Sequence, residues 1–321
     1  MQTRRATRVA VHPALGAEAL APLPRWFVHA VLLLLPVDTR LRCSEVSRAW
    51  RALLADKSLW ECIDLSLASG CSRFSLLLFR TTVAKAGGTL RSLDVTGRRA
   101  SGISSQKLHS IAKLNAATLK DLRIYTHTHY STHAVGALLR AAPSLDVLEV
   151  GVYCNVRDAR LMLRNEAPFA ARAAGALRLR ELNVFFVTPE HFTDGFLADL
   201  RGHTALETLW LQRAPLLAAA AVGAVVDAAV ALRLSALQLL HCSCRRDALP
   251  HLARLIAAGH LRELVIADAD ASLFEGDAGG VAAFCAAARA SHLTTFEVIS
   301  HLGGIPPAVA ETTAFIAARG Q

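Results

Sequence analysis

From residue 90 onward a short alternation of apolar and polar positions keeps returning. It reads LRSLDV from Leu90, LKDLRI from Leu119, LDVLEV from Leu145 and LRELNV from Leu179. It continues as LETLWL from Leu206, LSALQL from Leu234, LRELVI from Leu261 and LTTFEV from Leu293. Apolar residues at the first, fourth and sixth places suit a short strand with one buried face, because side chains alternate across a strand. The starts lie 29, 26, 34, 27, 28, 27 and 32 residues apart, and a period of this size marks a stack of like units. Between the strands run Ala- and Leu-rich stretches with helical spacing, among them 105–116, 132–141, 216–231 and 247–258. Strand, helix and parallel strand is a unit that buries its apolar face against the next copy. The pattern therefore predicts an α/β solenoid.

This part of the chain, about 230 residues long, resembles the leucine-rich repeat family in its longer variety. The resemblance implies parallel strands on a concave face and helices on a convex one. One place departs from the family, which has Asn or Cys after the strand: in register only Cys242 meets it, and Ala214 stands there one unit earlier. Loop geometry is therefore expected to differ between units.

The third and fifth places of each unit should face out from the concave sheet. They put Asp94, Asp121, Arg123, Glu149, Glu181, Asn183, Trp210, Gln238, Glu263 and Glu297 on that face, with Tyr125 and Phe185 at its rim. These columns hold six acids and one base. Adding the second place, with Arg91, Lys120, Arg180 and Arg262 against Asp146 and Glu207, gives a net of −3, so the remainder carries +12 of a chain at +9. An acid-leaning inner face on a basic protein favours a protein partner with a Lys- or Arg-bearing segment, although pairing across strands would neutralise part of it. Trp210, Tyr125 and Phe185, near the middle, have the aromatic chemistry of interface hot spots, or else fold down onto the neighbouring strands.

Ahead of the repeats, residues 20–65 have another character. PLPRWFVHAVLLLLPVDTRLRCSEVSRAWRALLADKSLW reads as three short helical segments, broken at Pro36 and near Asp56. In the last of them Val46, Trp50 and Leu53 or Leu54 share a face. Leu32 to Leu35 make the first helix apolar all round, so the block must pack on the repeats or offer an apolar surface to another chain. The block resembles an F-box. That pattern is met at Leu23–Pro24, Val31, Leu35–Pro36, Asp38, Leu41, Val46–Ser47, Trp50, Asp56 and Leu59–Trp60, with IDLS following at Ile63. Arg25 and Trp26 stand where the family has acids, and Arg40 where it has an apolar residue.

The resemblance implies a non-catalytic receptor of an SCF-type ubiquitin ligase. Its F-box would dock on a Skp-type adaptor, and through it on cullin and RING subunits, while the repeats hold a protein substrate. The docking residues it implies are Leu23, Pro24, Val31, Leu35, Pro36, Leu41, Val46, Ser47, Trp50, Leu59 and Trp60. Trp60 could equally plug the junction with the first repeat. The alternative is a leucine-rich-repeat interaction scaffold with no degradative role.

Composition narrows the other possibilities. The 35 Lys and Arg residues are spread thinly, with short clusters at Arg4–Arg8, Arg98–Arg99 and Arg245–Arg246, and no basic stripe interleaved with aromatics argues for nucleic acid. Seven dispersed cysteines suit a reducing compartment, cytoplasmic or nuclear, better than a disulfide framework. Residues 1–19 read as a basic disordered arm, with an organelle transit peptide as the alternative. The apolar run 214–232 has Asp227 at its centre and reads as a buried helix rather than a membrane span. His127, His129 and His133 form an H-x-H cluster with no carboxylate close in sequence, and Cys242 and Cys244 lack a second ligand pair; neither is read as a metal site. No phosphate-binding loop, nucleophile elbow or zinc-protease motif occurs, so no cofactor and no catalysis are expected.

Overall fold

The structure is a computed structural model. It describes residues 23–66, 75–96, 103–124, 132–152, 179–186, 203–214, 219–242, 244–267, 273–274, 277–300 and 305–320, with backbone only at 132–136, 151–152, 185–186 and 219. The arm at 1–19 and Tyr125, His127 and His129 lie outside these residues, as do the side chains of His133 and Phe185.

Three helices lead: α1 (Arg25–Leu34), α2 (Val37–Val46) and α3 (Arg48–Leu53). A 3₁₀ turn at Lys57–Trp60 then runs into β1 (Cys62–Asp64). Strands and helices follow in alternation: α4 (Leu76–Ala86), β2 (Ser92–Asp94), α5 (Ser105–Leu114), β3 (Asp121–Ile124), α6 (Thr132–Ala141) and β4 (Val147–Val152). Next come β5 (Glu181–Phe186), β6 (Thr208–Gln212), α7 (Ala219–Leu232), β7 (Ala236–Leu240) and α8 (Leu249–Ala257). The chain closes with β8 (Glu263–Ala267), α9 (Ala278–Ala290), β9 (Thr295–Ile299) and α10 (Pro307–Arg319).

All nine strands form one parallel sheet in sequence order, each beside the strand that follows it. That order is what stacked strand–helix units produce, and it separates this fold from sheets whose strand order reverses. Neighbouring helices touch (α5 with α6, then α7 with α8, α8 with α9 and α9 with α10), so they form a layer of their own. On the other face of the sheet most of the described third- and fifth-place residues are part-exposed.

The apolar places of the repeat explain the core. Every residue at the first, fourth and sixth places, from Leu90, Leu93 and Val95 to Leu293, Phe296 and Val298, is no more than 6% exposed. The backbone repeats as faithfully. The carbonyl at the second place of each unit accepts two amide protons from the next; Arg91 O takes Lys120 N and Asp121 N at 2.8 and 3.0 Å. The same fork recurs at Glu61, Lys120, Asp146, Arg180, Glu207, Ser235 and Arg262.

Glu61 marks a ninth unit. Trp60, Ile63 and Leu65 fill the first, fourth and sixth places one unit before Leu90, and all three are buried. The sheet thus begins at Cys62, inside the block expected to end at residue 65. One continuous apolar core runs from Val28 in α1 to Ile316 in α10.

One further expectation is corrected. The segment predicted to carry Val46 and Trp50 on one helix is broken between them. Ser47 is extended, with φ −156°, and its Oγ accepts from the Trp50 amide at 3.2 Å, capping α3. Loop geometry differs between units, as expected: after β1 and β2 the Asp64 and Asp94 Oδ1 atoms accept from the Ser66 and Thr96 amides at 2.9 and 2.8 Å, whereas after β6 and β7 Arg213 and His241 are both left-handed, with φ 55° and 53°. Their amides bond Leu240 O and Ala267 O, and Ala214 and Cys242 are buried in the same place behind them.

Candidate functional site

Two surfaces gather the residues singled out in the sequence. The first is the helical block. Val28 and Leu32 turn α1 onto the core, and its other apolar residues are left outside. Leu23, Trp26, Phe27, Val31, Leu33 and Leu34 are exposed, Trp26 at 71% and Leu34 at 84%, and Val46 at the end of α2 is exposed as well. Trp26 and Phe27 meet edge to face with centroids 5.9 Å apart. An apolar set this large on one small block is the kind of surface that another chain covers.

The other residues of that pattern divide by burial. Pro24 is exposed and begins α1, while Leu35, Pro36, Leu41, Ser47 and Trp50 are half-buried. Leu59 and Trp60 are fully buried, so as the chain stands they support the block rather than touch a partner. Asp56 has a local structural role. Its Oδ1 accepts from the Ser58 amide at 3.1 Å and hydroxyl at 2.7 Å, capping the 3₁₀ turn that carries Leu59 and Trp60. Those hydrogen bonds hold the Asp56 carboxyl below the usual range. His29 Nε2 reaches the same hydroxyl at 2.8 Å and ties α1 to the turn.

Arg40 is a residue whose role sequence reasoning missed. It is buried in α2, and among the described residues no carboxylate pairs with it. Its Nε donates to Leu35 O at 3.1 Å, its Nη1 donates to Leu59 O, and its guanidinium lies 5.7 Å from the centre of the Trp60 ring. Lys85 Nζ from α4 lies 5.1 Å from the same ring. Burial pushes the Arg40 pKa down from its ordinary value, but the carbonyls and the ring face accept the charge.

The second surface is the open face of the sheet. Register places Asp94, Arg123, Glu149, Asn183, Trp210, Gln238, Val265 and Glu297 in one row across β2 to β9. A parallel row runs through Ser92, Asp121, Val147, Glu181, Thr208, Ala236, Glu263 and Thr295. The face is not uniformly open. Asn183 is 3% exposed and accepts from Gln212 Nε2 at 2.9 Å, and Ala236 and Val265 are buried. Gln238 donates to Glu263. Trp210 is half-buried at the centre, and its indole N–H has no hydrogen-bond partner among the described residues.

Pairing neutralises the second-place column except Arg262, whose Nη1 donates to His292 O, but not the acids of the face. Arg91 meets Glu61 at 3.7 Å, Lys120 meets Asp146 at 3.4 Å and Arg180 meets Glu207 at 2.6 Å, each across neighbouring strands. On the face proper, Arg123 is the one cation among Asp94, Asp121, Glu149 and Glu181. It bonds Asp121 at 3.1 Å and stands 3.9 Å from Glu149. Burial raises the Asp121 carboxyl despite that contact. Among the described residues no group of His, Cys, Asp and Glu is arranged to hold a metal, and no helix is long and apolar enough to cross a membrane.

Burial keeps the thiols of Cys242 and Cys244 protonated, which suits wall residues rather than nucleophiles. On the helix layer, a shallow groove between α7 and α8 is bridged by Arg254 and Asp227 at 2.6 Å.

No protein-family model matches the chain, and no curated protein matches it.

Proposed function

We propose that the protein is a non-catalytic receptor whose leading block acts as an F-box and whose strand–helix units act as leucine-rich repeats. The block would dock on a Skp-type adaptor of a cullin-based ubiquitin ligase, and the open sheet face would hold a protein to be modified. The receptor forms no covalent bond itself; it raises the effective concentration of the bound protein near the conjugating machinery.

One observation carries the reading. The residues of the F-box pattern separate into those that fasten the block to the sheet and an exposed apolar set on and beside α1. Leu59, Trp60 and Asp56 fasten; Leu23, Val31 and Val46 stay outside. A block that only capped the solenoid would have no need to leave Trp26 and Leu34 in water.

The test is a double dissociation in the full chain. Leu34→Asp is expected to abolish adaptor binding and leave binding of the other partner intact. Trp210→Ala and Glu181→Arg are expected to do the reverse. Loss of both bindings in either class, with the fold preserved, would overturn the assignment of two separate surfaces. Ligase-dependent turnover of the bound protein distinguishes a receptor from a scaffold.

A further inference from the structure

The four carboxylates around Arg123 cannot all be served by it, and geometry ranks them. Asp121 takes the guanidinium closely, at 3.1 and 3.4 Å from Nε. Asp94 accepts from the Thr96 amide and hydroxyl, both at 2.8 Å, so its charge is held by other donors. Glu181 lies two strands from β3 and is half-exposed to water. Glu149 has neither advantage. Its side chain is 17% exposed, its cation stands 3.9 Å away and already serves Asp121, and on the other side its register partner is the buried, neutral Asn183. A carboxylate that is shielded, poorly paired and ringed by three others is the one that takes up a proton.

We propose that Glu149 is a proton-responsive switch at the centre of the open face, changing the charge of the β2–β5 section by one across neutral pH. Among the described residues, the groups facing it are Asp94 from β2, Asp121 and Arg123 from β3 and Glu181 from β5. The next charges along these strands, Lys120 with Asp146 and Arg180 with Glu207, are paired with each other. Burial, and after it the neighbouring carboxylates, lift Glu149 to about 7 against the pull of Arg123. The inference concerns the free chain and stands whichever partner the face holds. Its consequence for a cationic partner is one more negative charge to meet at pH 8 than at pH 6.

The sign follows from linkage. The fold holds the Glu149 proton more tightly than the unfolded chain, whose glutamates titrate near their ordinary value, so this group favours folding as pH falls through neutrality. With a folded value of about 7, the unfolding constant should be roughly tenfold smaller at pH 6 than at pH 8 on account of this residue.

The experiment is urea unfolding of the full chain across pH 6 to 8, for the wild type, Glu149→Gln and Asp94→Asn. We expect Glu149→Gln to lose that tenfold component and to be more stable than the wild type at pH 8. Asp94→Asn should move the wild-type transition to lower pH. A carbon-13 titration of glutamate carboxyls in the labelled wild type gives a readout independent of any variant's folding, and should show one glutamate with a midpoint near neutrality. Identical pH dependence in wild type and Glu149→Gln, or no glutamate titrating above pH 6, would overturn the proposal.

Discussion

Arg40 stands where the resemblance leads one to expect an apolar side chain, and its surroundings show how a charge can serve there. It closes the C-terminal end of α1 through Leu35 O and the 3₁₀ turn through Leu59 O, with the Trp60 ring beside it. Removing it would orphan two carbonyls and leave a hole, so Arg40→Ala is expected to cost about 2–4 kcal/mol in urea unfolding. An unchanged midpoint would mean that the carbonyls find water instead. Trp60 is the larger stake: it is fully buried, donates from Nε1 to Leu54 O at 2.9 Å and begins the first unit of the sheet. Trp60→Ala should cost about 3–5 kcal/mol. The role of Arg40 was not legible in the sequence, whereas burial at the junction was one of the two readings of Trp60. The degenerate unit that Trp60 opens, W-x-x-I-x-L, carries no leucine at its first or fourth place.

At the scale of elements, the strands were readable and the breaks were not. Eight strands follow from the apolar places alone, because each such residue must enter the core for the stack to close. Helix ends obey local hydrogen bonding instead, and a serine looks the same inside a helix and at its cap. Val46 and Trp50 have helical spacing, yet Ser47 separates them by capping α3. Ser47→Ala should therefore cost about 1 kcal/mol, measured by chemical denaturation, and let α2 and α3 run together. A full loss of stability would indicate that Ser47 does more than cap. On the open face the column positions were foreseen, but their exposure was not. Asn183 is buried and accepts from Gln212, a residue the column pattern did not single out.

For the whole molecule, the continuous core joins the helical block to the sheet, so the apolar surface on α1 and the acid-leaning face belong to one packed body. That continuity changes how the proposed function should be probed. Deleting residues 1–62 would remove Trp60 and most of the block's contribution to the core, and would confuse misfolding with lost docking. Point changes in the exposed set avoid this, since Leu34 is 84% exposed and its replacement leaves the core untouched. The most direct test of the central claim is co-expression of the full chain with a Skp-type adaptor, compared with Leu34→Asp and Val31→Asp forms by gel filtration. A one-to-one complex is expected for the wild type, and free, folded chain for both variants. A wild-type chain that elutes alone, or variants that still form the complex, would contradict that claim.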